Sequence, residues 1–415
     1  MKIQTVKSPG GIEAWLVEER SVPLLAIRFA FEGGSSQDPV GKEGVAHFVT
    51  IMMDEGAGDL DAKTFQEREE ELAFRMRFQA GRDTISGSFQ TLSQNRDESL
   101  KLLRLALTRT RFDQDAADRM RRSVLSDLAF AAKDPNRVAS EVWAATAFPD
   151  HPYGRPTRGT LESVTAIQPE DLHDYRKRVF AKDTLKVSVV GDIDAESLGK
   201  LLDDLFGDLP EKSDLRAVPD VAPISGGAQR VVQMAVPQSV ALFGMKSIKR
   251  DDDDFIPAFV MNHILGGGGF ASRLMEEVRE KRGLAYSVYS YLQPYDHAAI
   301  FAGGVATQNE KIKESLDVIR GELKRMAEEG PSEEELKNSK SYLTGSYALR
   351  FDTNSKIAQQ LLGIQLDNLP ISYVDERNKL VEAVTIEDVK RVAKRIIDVD
   401  QMIVTIVGQP QGVGG

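Results

Sequence analysis

The sequence predicts an α+β fold built twice, each copy a mostly antiparallel sheet with helices packed on one side. Three observations carry this. The stretch "EDLHDYRKRVFAKDTLKVSVVG", Glu170 to Gly191, returns without a gap as "EDVKRVAKRIIDVDQMIVTIVG", Glu387 to Gly408. Each copy reads as an acid-capped amphipathic helix, a short turn, and an apolar strand ending in Val-Gly. Short strand-like runs and long helices come in mixed order, the habit of α+β rather than of strictly alternating chains. Between the copies, "LPEKSDLRAVPDVAPISGGAQR", residues 209 to 230, is rich in Pro, Gly, Ser and charge, as linkers are. A repeat of roughly 200 residues is a domain and not a solenoid unit. The expected domains are therefore residues 1–215 and 226–415.

The N-terminus reads as a strand, a turn at Pro9-Gly10-Gly11 and a second strand, with no apolar core of the kind a secretory leader carries. "SVPLLAIRFAFEGG" is a strand feeding a helix, weakly matched in the second copy by "PQSVALFGMKSI". "LDAKTFQEREEELAFRM" and "QNEKIKESLDVIRGELKRMAEEG" are long amphipathic helices. "FQAGRDTISGSFQTL", from Phe78, reads as two strands.

Composition narrows the function. With 41% hydrophobic and 28% charged residues the chain has apolar mass for more than one core. Its net charge of −11 argues against nucleic acid and anionic membranes as partners. No apolar run approaches the roughly 20 residues that span a bilayer. The absence of cysteine removes disulfides, thiol catalysis and thiolate metal sites together.

The stretch with a chemical rhythm is "GVAHFVTIMMDEGAG", residues 44 to 58. A zinc helix of the H-x-x-E-H kind sets two imidazoles at i and i+4 on one face, with a carboxylate just before the second. Here His47 holds the first position, but Thr50 and Ile51 stand where the glutamate and second histidine belong. Ile51 has no lone pair to offer, and the Thr50 hydroxyl is far too weak a base near neutral pH. A second stretch, "VREKRGLAYSV", ends a charged helix at Gly283 and starts a β-rich run at Tyr286. The corner lets Arg279 and Tyr286 converge, either as donors to a peptide carbonyl and its oxyanion or as an ordinary surface arginine and strand tyrosine. Arg282 competes with Arg279 for the first role.

The remaining candidates read as structural. "GGGG", 266 to 269, lacks the Gly-Lys-Ser/Thr of a phosphate loop and reads as a turn before a helix. "DDDD", 251 to 254, lacks the spaced oxygens of a calcium loop and reads as a solvated helix start. His151, in "HPYGRP", sits in an ordered loop rather than among ligands.

Three motifs together resemble the pitrilysin/insulinase family of inverted-zincin peptidases: "GSSQDPVGKEGVAHFVTIMMDEGAG", "HPYGRPTRGTLESVTAIQPEDLHDY" and "ILGGGGFASRLMEEVREKRGLAYSVYS". The likeness spans nearly the whole chain in order. It implies that His47, Thr50 and Ile51 are the degenerate remains of the zinc helix. The third ligand would fall near Asp127, in "RRSVLSDLAFAAKDP". It also implies that Arg279 and Tyr286 match the family's Arg/Tyr pair, and that an edge strand near Gln79 and Ala80 binds substrate by β-addition. Family enzymes enclose peptides between two such halves, with zinc in one and the Arg/Tyr pair in the other.

The expectation is a non-hydrolytic, substrate-binding subunit holding no zinc of its own. A homologous zinc-bearing partner subunit would supply the metal for peptide hydrolysis, and the resemblance implies a periplasmic chain, or a cytoplasmic one if no leader was removed. The alternative is a catalytically inert peptide-binding or scaffold protein of the same descent. An active peptidase with a different metal arrangement is the third reading.

Overall fold

The computed structural model describes residues 1–414. Two compact units form, and neither is a contiguous half of the chain. The first gathers Met1–Leu128, Pro156–Ala217 and Ala348–Tyr373. The second gathers Ala129–Arg155, Val218–Tyr347 and the stretch from Val374 on.

The first unit is built on β1 (Gln4–Lys7), β2 (Glu13–Glu18) and β3 (Leu24–Glu32), a two-residue pair β4 (Gly56–Ala57) and β5 (Leu60–Asp61), then β6 (Arg75–Ala80), β7 (Thr84–Leu92) and β8 (Lys186–Gly191). Its six-stranded sheet runs β1-β2-β8-β3-β7-β6. Only β2 and β8 are parallel; the other neighbours are antiparallel. Along β3 the side chains alternate by face. Leu25, Ile27, Phe29 and Phe31 enter the main core beneath the helices. Phe29 meets Phe31, Phe78 and Phe206 edge to face, at 6.0, 6.0 and 5.5 Å between ring centres. Its cross-strand neighbour is Gly87, where a Cβ would lie 2.0 Å from the Phe29 ring. The missing side chain is the space the ring fills.

The opposite face of this sheet carries Ala26, Arg28, Ala30 and Ser188. It is covered by one helix, Asn354–Leu366. Ser188 Oγ donates to Ala358 O at 2.7 Å, Arg28 Nη2 to Ser355 Oγ at 2.8 Å, and Gln365 Nε2 to Val187 O at 3.0 Å.

The second unit repeats the plan with β9 (Gln229–Gln233), β10 (Gln238–Lys246), β11 (Ala285–Pro294), β12 (Ala299–Gln308) and β13 (Ile403–Gly408), in the order β11-β12-β10-β13-β9. Again one pair, β13 with β9, is parallel. The repeated strands β8 and β13 hold equivalent central places, so the sequence repeat is a repeat of sheet position. The outer face of this sheet is likewise covered by one helix, Pro135–Ala147. Its Trp143 packs with Ile300, Ala302 and Ile403 and donates from Nε1 to Ile403 O at 3.2 Å. Gly244 makes room for that indole, since a Cβ there would lie 2.5 Å from it.

The division expected at residues 209–230 thus has a counterpart between Ala217 and Val218, but each unit also takes one helix from the other half of the sequence. A central strand is apolar on both faces, so the second face needs a cover, and the linear repeat does not show which helix provides it. The acidic run also departs from expectation. It does precede a helix, Phe255–Asn262, but it is not simply solvated. Asp254 accepts from Arg391 at 2.7 Å and Asp252 from Arg395 at 2.6 Å, tying the run to the repeat helix Ile386–Ile396. Among the described residues no helix is long and apolar enough to cross a membrane.

Candidate functional site

In the first unit the helix Val45–Ile51 starts at Gly44, whose φ of +97° favours glycine. The Asp38 carboxylate accepts from Gly44 N and Ala46 N, both at 2.8 Å, and so satisfies the helix start. His47 is half-buried on this helix. Thr50 is buried, and its Oγ1 donates to His47 O at 2.7 Å. Its one proton is spent on its own helix. Ile51 packs against the main core. The acids after the helix are structural too: Glu55 pairs with Arg119 and accepts from Gln66, and burial pushes the Asp54 carboxyl up.

Asp127 is exposed on the helix Gln114–Ala131. The structure does not bring it to the cavity that His47, Thr50 and Ile51 line. Among the described residues no three His, Cys, Asp or Glu side chains are placed to hold a metal ion. One imidazole, a hydroxyl already bonded and an alkyl chain do not fit a zinc ion, which takes three protein ligands in a catalytic site.

The same cavity, of about 410 Å³, is also lined by Gln79 and Ala80. Both lie on β6, which pairs with β7 on one side and is the free edge of its sheet. The degenerate helix and the edge strand are therefore two walls of one space within this unit.

In the second unit Arg279 lies in a wide π-helical turn, Met275–Glu280. Gly283, at φ +58°, ends that turn. The register then slips: Ala285 faces Thr307 and Ser287 faces Ala306, leaving Tyr286 as the extra residue of a β-bulge. The bulge re-aims the ring outward, and Tyr286 is 81% exposed. The Arg279 guanidinium stands 5.1 Å from the Tyr286 ring centre and 4.7 Å from that of Phe270, itself 70% exposed. Arg279 Nη1 is buried and makes no hydrogen bond among the described residues. The nearest carboxylate, Glu280, is 3.6 Å away, beyond good hydrogen-bond distance. The competitor Arg282 is committed to Glu277 at 2.6 Å.

The glycine run packs closely: a Cβ at Gly266 would sit 2.6 Å from Ser290 N on β11, and Gly269 takes φ +60° in the turn. His151 is buried, its Nε2 3.0 Å from Pro219 O and its Nδ1 accepting from Tyr153 N at 3.1 Å, so both ring nitrogens serve the loop.

Residues 16–161 match the family described as Insulinase (Peptidase family M16), and residues 166–343 match the Peptidase M16 inactive domain. The chain belongs to the M16 peptidase family. It is 26% identical over 392 residues to the non-peptidase homolog YmxG of Helicobacter pylori, covering 94% of this chain and 90% of that one. It is 24% identical to an uncharacterized zinc protease of Streptomyces coelicolor, covering 94% and 86%. Among solved structures, a peptidase M16 inactive domain from Pseudomonas fluorescens superposes with a TM-score of 0.93 at 28% identity, covering 100% of this chain and 99% of that one. A protease from Helicobacter pylori shares the fold, with a TM-score of 0.89 at 18% identity over 98% of this chain and 99% of that one.

The chain is an M16 homologue whose helix at His47 lacks an intact H-x-x-E-H. Phe270, the second ring beside Arg279, escaped the sequence reading. Its signal was a large apolar residue directly after the glycine run, an unusual place for one that is not buried. The arginines that share the cavity with His47 escaped as well, because strand positions 28 and 77 are distant in sequence and meet only across the sheet.

Proposed function

We propose that this chain is the non-hydrolytic, substrate-binding subunit of a two-chain zinc peptidase. It presents Arg279 and Tyr286 to a substrate held at the zinc of a homologous partner subunit. The observation that carries this reading is the state of Arg279: its guanidinium lies over two exposed rings, and its Nη1 makes no hydrogen bond among the described residues. Cation–π stacking holds the guanidinium without consuming its N–H groups, which stay free for a carbonyl oxygen gaining negative charge. The Tyr286 phenol supplies a second donor. The β6 edge offers an extended peptide its unpaired N–H and C=O groups.

Mixing the chain with a zinc-bearing M16 homologue should give peptidase activity that neither has alone. Arg279→Ala should lower the kcat of the mixture roughly 10²-fold, the usual loss for one oxyanion donor. Tyr286→Phe, which keeps the stacking ring, should lower it less. Full activity with Arg279→Ala would remove the role given to this residue.

A second reading, an inert peptide-binding or scaffold protein, draws on the name of the Helicobacter pylori relative. It predicts that the chain never associates with a zinc-bearing homologue, which co-purification decides.

A further inference from the structure

The cavity beside β6 has an unusual charge for so acidic a chain. Arg28, Arg77 and Arg158 line it, with His47, and no Asp or Glu does. The net charge of the whole is −11, so a carboxylate-free, arginine-lined recess runs against the composition. Two of these arginines belong to one row of the sheet: Arg77 faces Ser88, and Ser88 faces Arg28 on its other side. Neighbouring strands are about 4.8 Å apart, so the two arginine backbones lie about 10 Å from each other across the row. Ser86 and Ser88 complete a polar floor. Arg158 joins from the loop before the Leu161–Ala166 helix.

None of the three makes an ion pair among the described residues. Arg77 feels the field of Glu69 without pairing to it. Arg28 is half-buried, and its one bond is to the neutral Ser355 hydroxyl. Burial pushes its guanidinium below the usual arginine range, and no carboxylate offsets that. A desolvated cation without a counter-ion is costly, and an incoming carboxylate that forks onto it recovers the cost.

We propose that this recess selects extended peptides carrying an acidic side chain, the peptide adding to the free edge of β6 and its carboxylate reaching the Arg77–Ser88–Arg28 row. This rests on the reading of the chain as a peptide-binding subunit. The edge supplies backbone bonds to any sequence; the arginines supply the choice. A strand docked on β6 sends alternate side chains to this face, so the selectivity falls on every second residue of the peptide.

The test uses the full chain and dye-labelled peptides of equal length that differ only in Glu, Gln or Lys at one central position, followed by fluorescence anisotropy. The Glu peptide should bind roughly tenfold more tightly than its Gln isostere, with Lys weakest, as one charge-assisted pair implies. In the Arg28→Gln/Arg77→Gln variant the gap between the Glu and Gln peptides should shrink severalfold, and an undiminished gap overturns the role of the row. Arg158→Gln, on an exposed loop where folding is not in question, should narrow the Glu–Gln gap in part. Equal binding of all three peptides to the wild-type chain overturns the acidic preference and leaves peptide binding standing. Binding of none of them overturns both.

Discussion

Single positions show how closely chemistry here is tied to neighbours. Thr50 is no base because a hydroxyl is too weak a base near neutral pH, and its proton is donated to His47 O; Ile51 offers no lone pair and packs partly against the core. The purified chain, dialysed against zinc and then buffer, should retain far less than one zinc per chain by atomic emission. Near-stoichiometric metal would contradict the ligand argument. Gly87 is the packing counterpart. Gly87→Ala would drive a Cβ into the Phe29 ring, and overpacking of this kind costs about 1–3 kcal/mol. A urea midpoint unchanged from wild type would show that the aromatic cluster yields more easily than its contacts imply.

At the level of elements, the repeated helix–strand unit closes its helix in the same way twice. Gln168 N donates to Asp171 Oδ2 at 2.8 Å, and Thr385 N to Asp388 Oδ2 at 3.0 Å. In the second copy Asp388 N also donates to Thr385 Oγ1 at 3.1 Å, completing a capping box. Thr385→Ala should therefore cost about 1 kcal/mol in chemical denaturation. The Thr385 N–H, the Thr385 hydroxyl and Arg391 hold the Asp388 carboxyl down at about 2, against an ordinary 3.8. A carboxyl depressed on folding stabilises the fold above its unfolded value, and this is lost as pH falls from about 4 towards 2. Asp388→Asn should flatten that part of the acid unfolding curve. An unaltered pH dependence would show that the cap leaves folding stability untouched.

At the scale of the whole molecule, the central fact is that each sheet is finished by a helix from the other half of the chain. Trp143 anchors the Pro135–Ala147 helix by filling the space over Gly244 and bonding to Ile403 O. Trp143→Ala should cost about 3–5 kcal/mol, as loss of a large buried aromatic does. The loss should appear as a lowered calorimetric transition. A Tm within a degree of wild type would mean this helix contributes little to the second sheet.

Much of this was legible in the residues. The copied helix–strand unit announced two related sheets, because a pattern of caps and alternating apolar residues is local and survives without tertiary context. That Thr50 and Ile51 make poor metal ligands was legible for the same reason: ligand chemistry belongs to the side chain itself. The corner at Gly283 placed Arg279 near Tyr286, since a glycine between a helical pattern and a β-rich run is a common helix stop. Three features became visible only in the folded chain. The bulge at Tyr286 depends on the register with β12, the pairing of Phe270 with Arg279 on a turn folding back, and the row from Arg77 to Arg28 on strand order. The exchange of the two covering helices is of the same kind. All rest on contacts between distant residues, which a linear pattern does not encode and which packing chooses among many compatible arrangements.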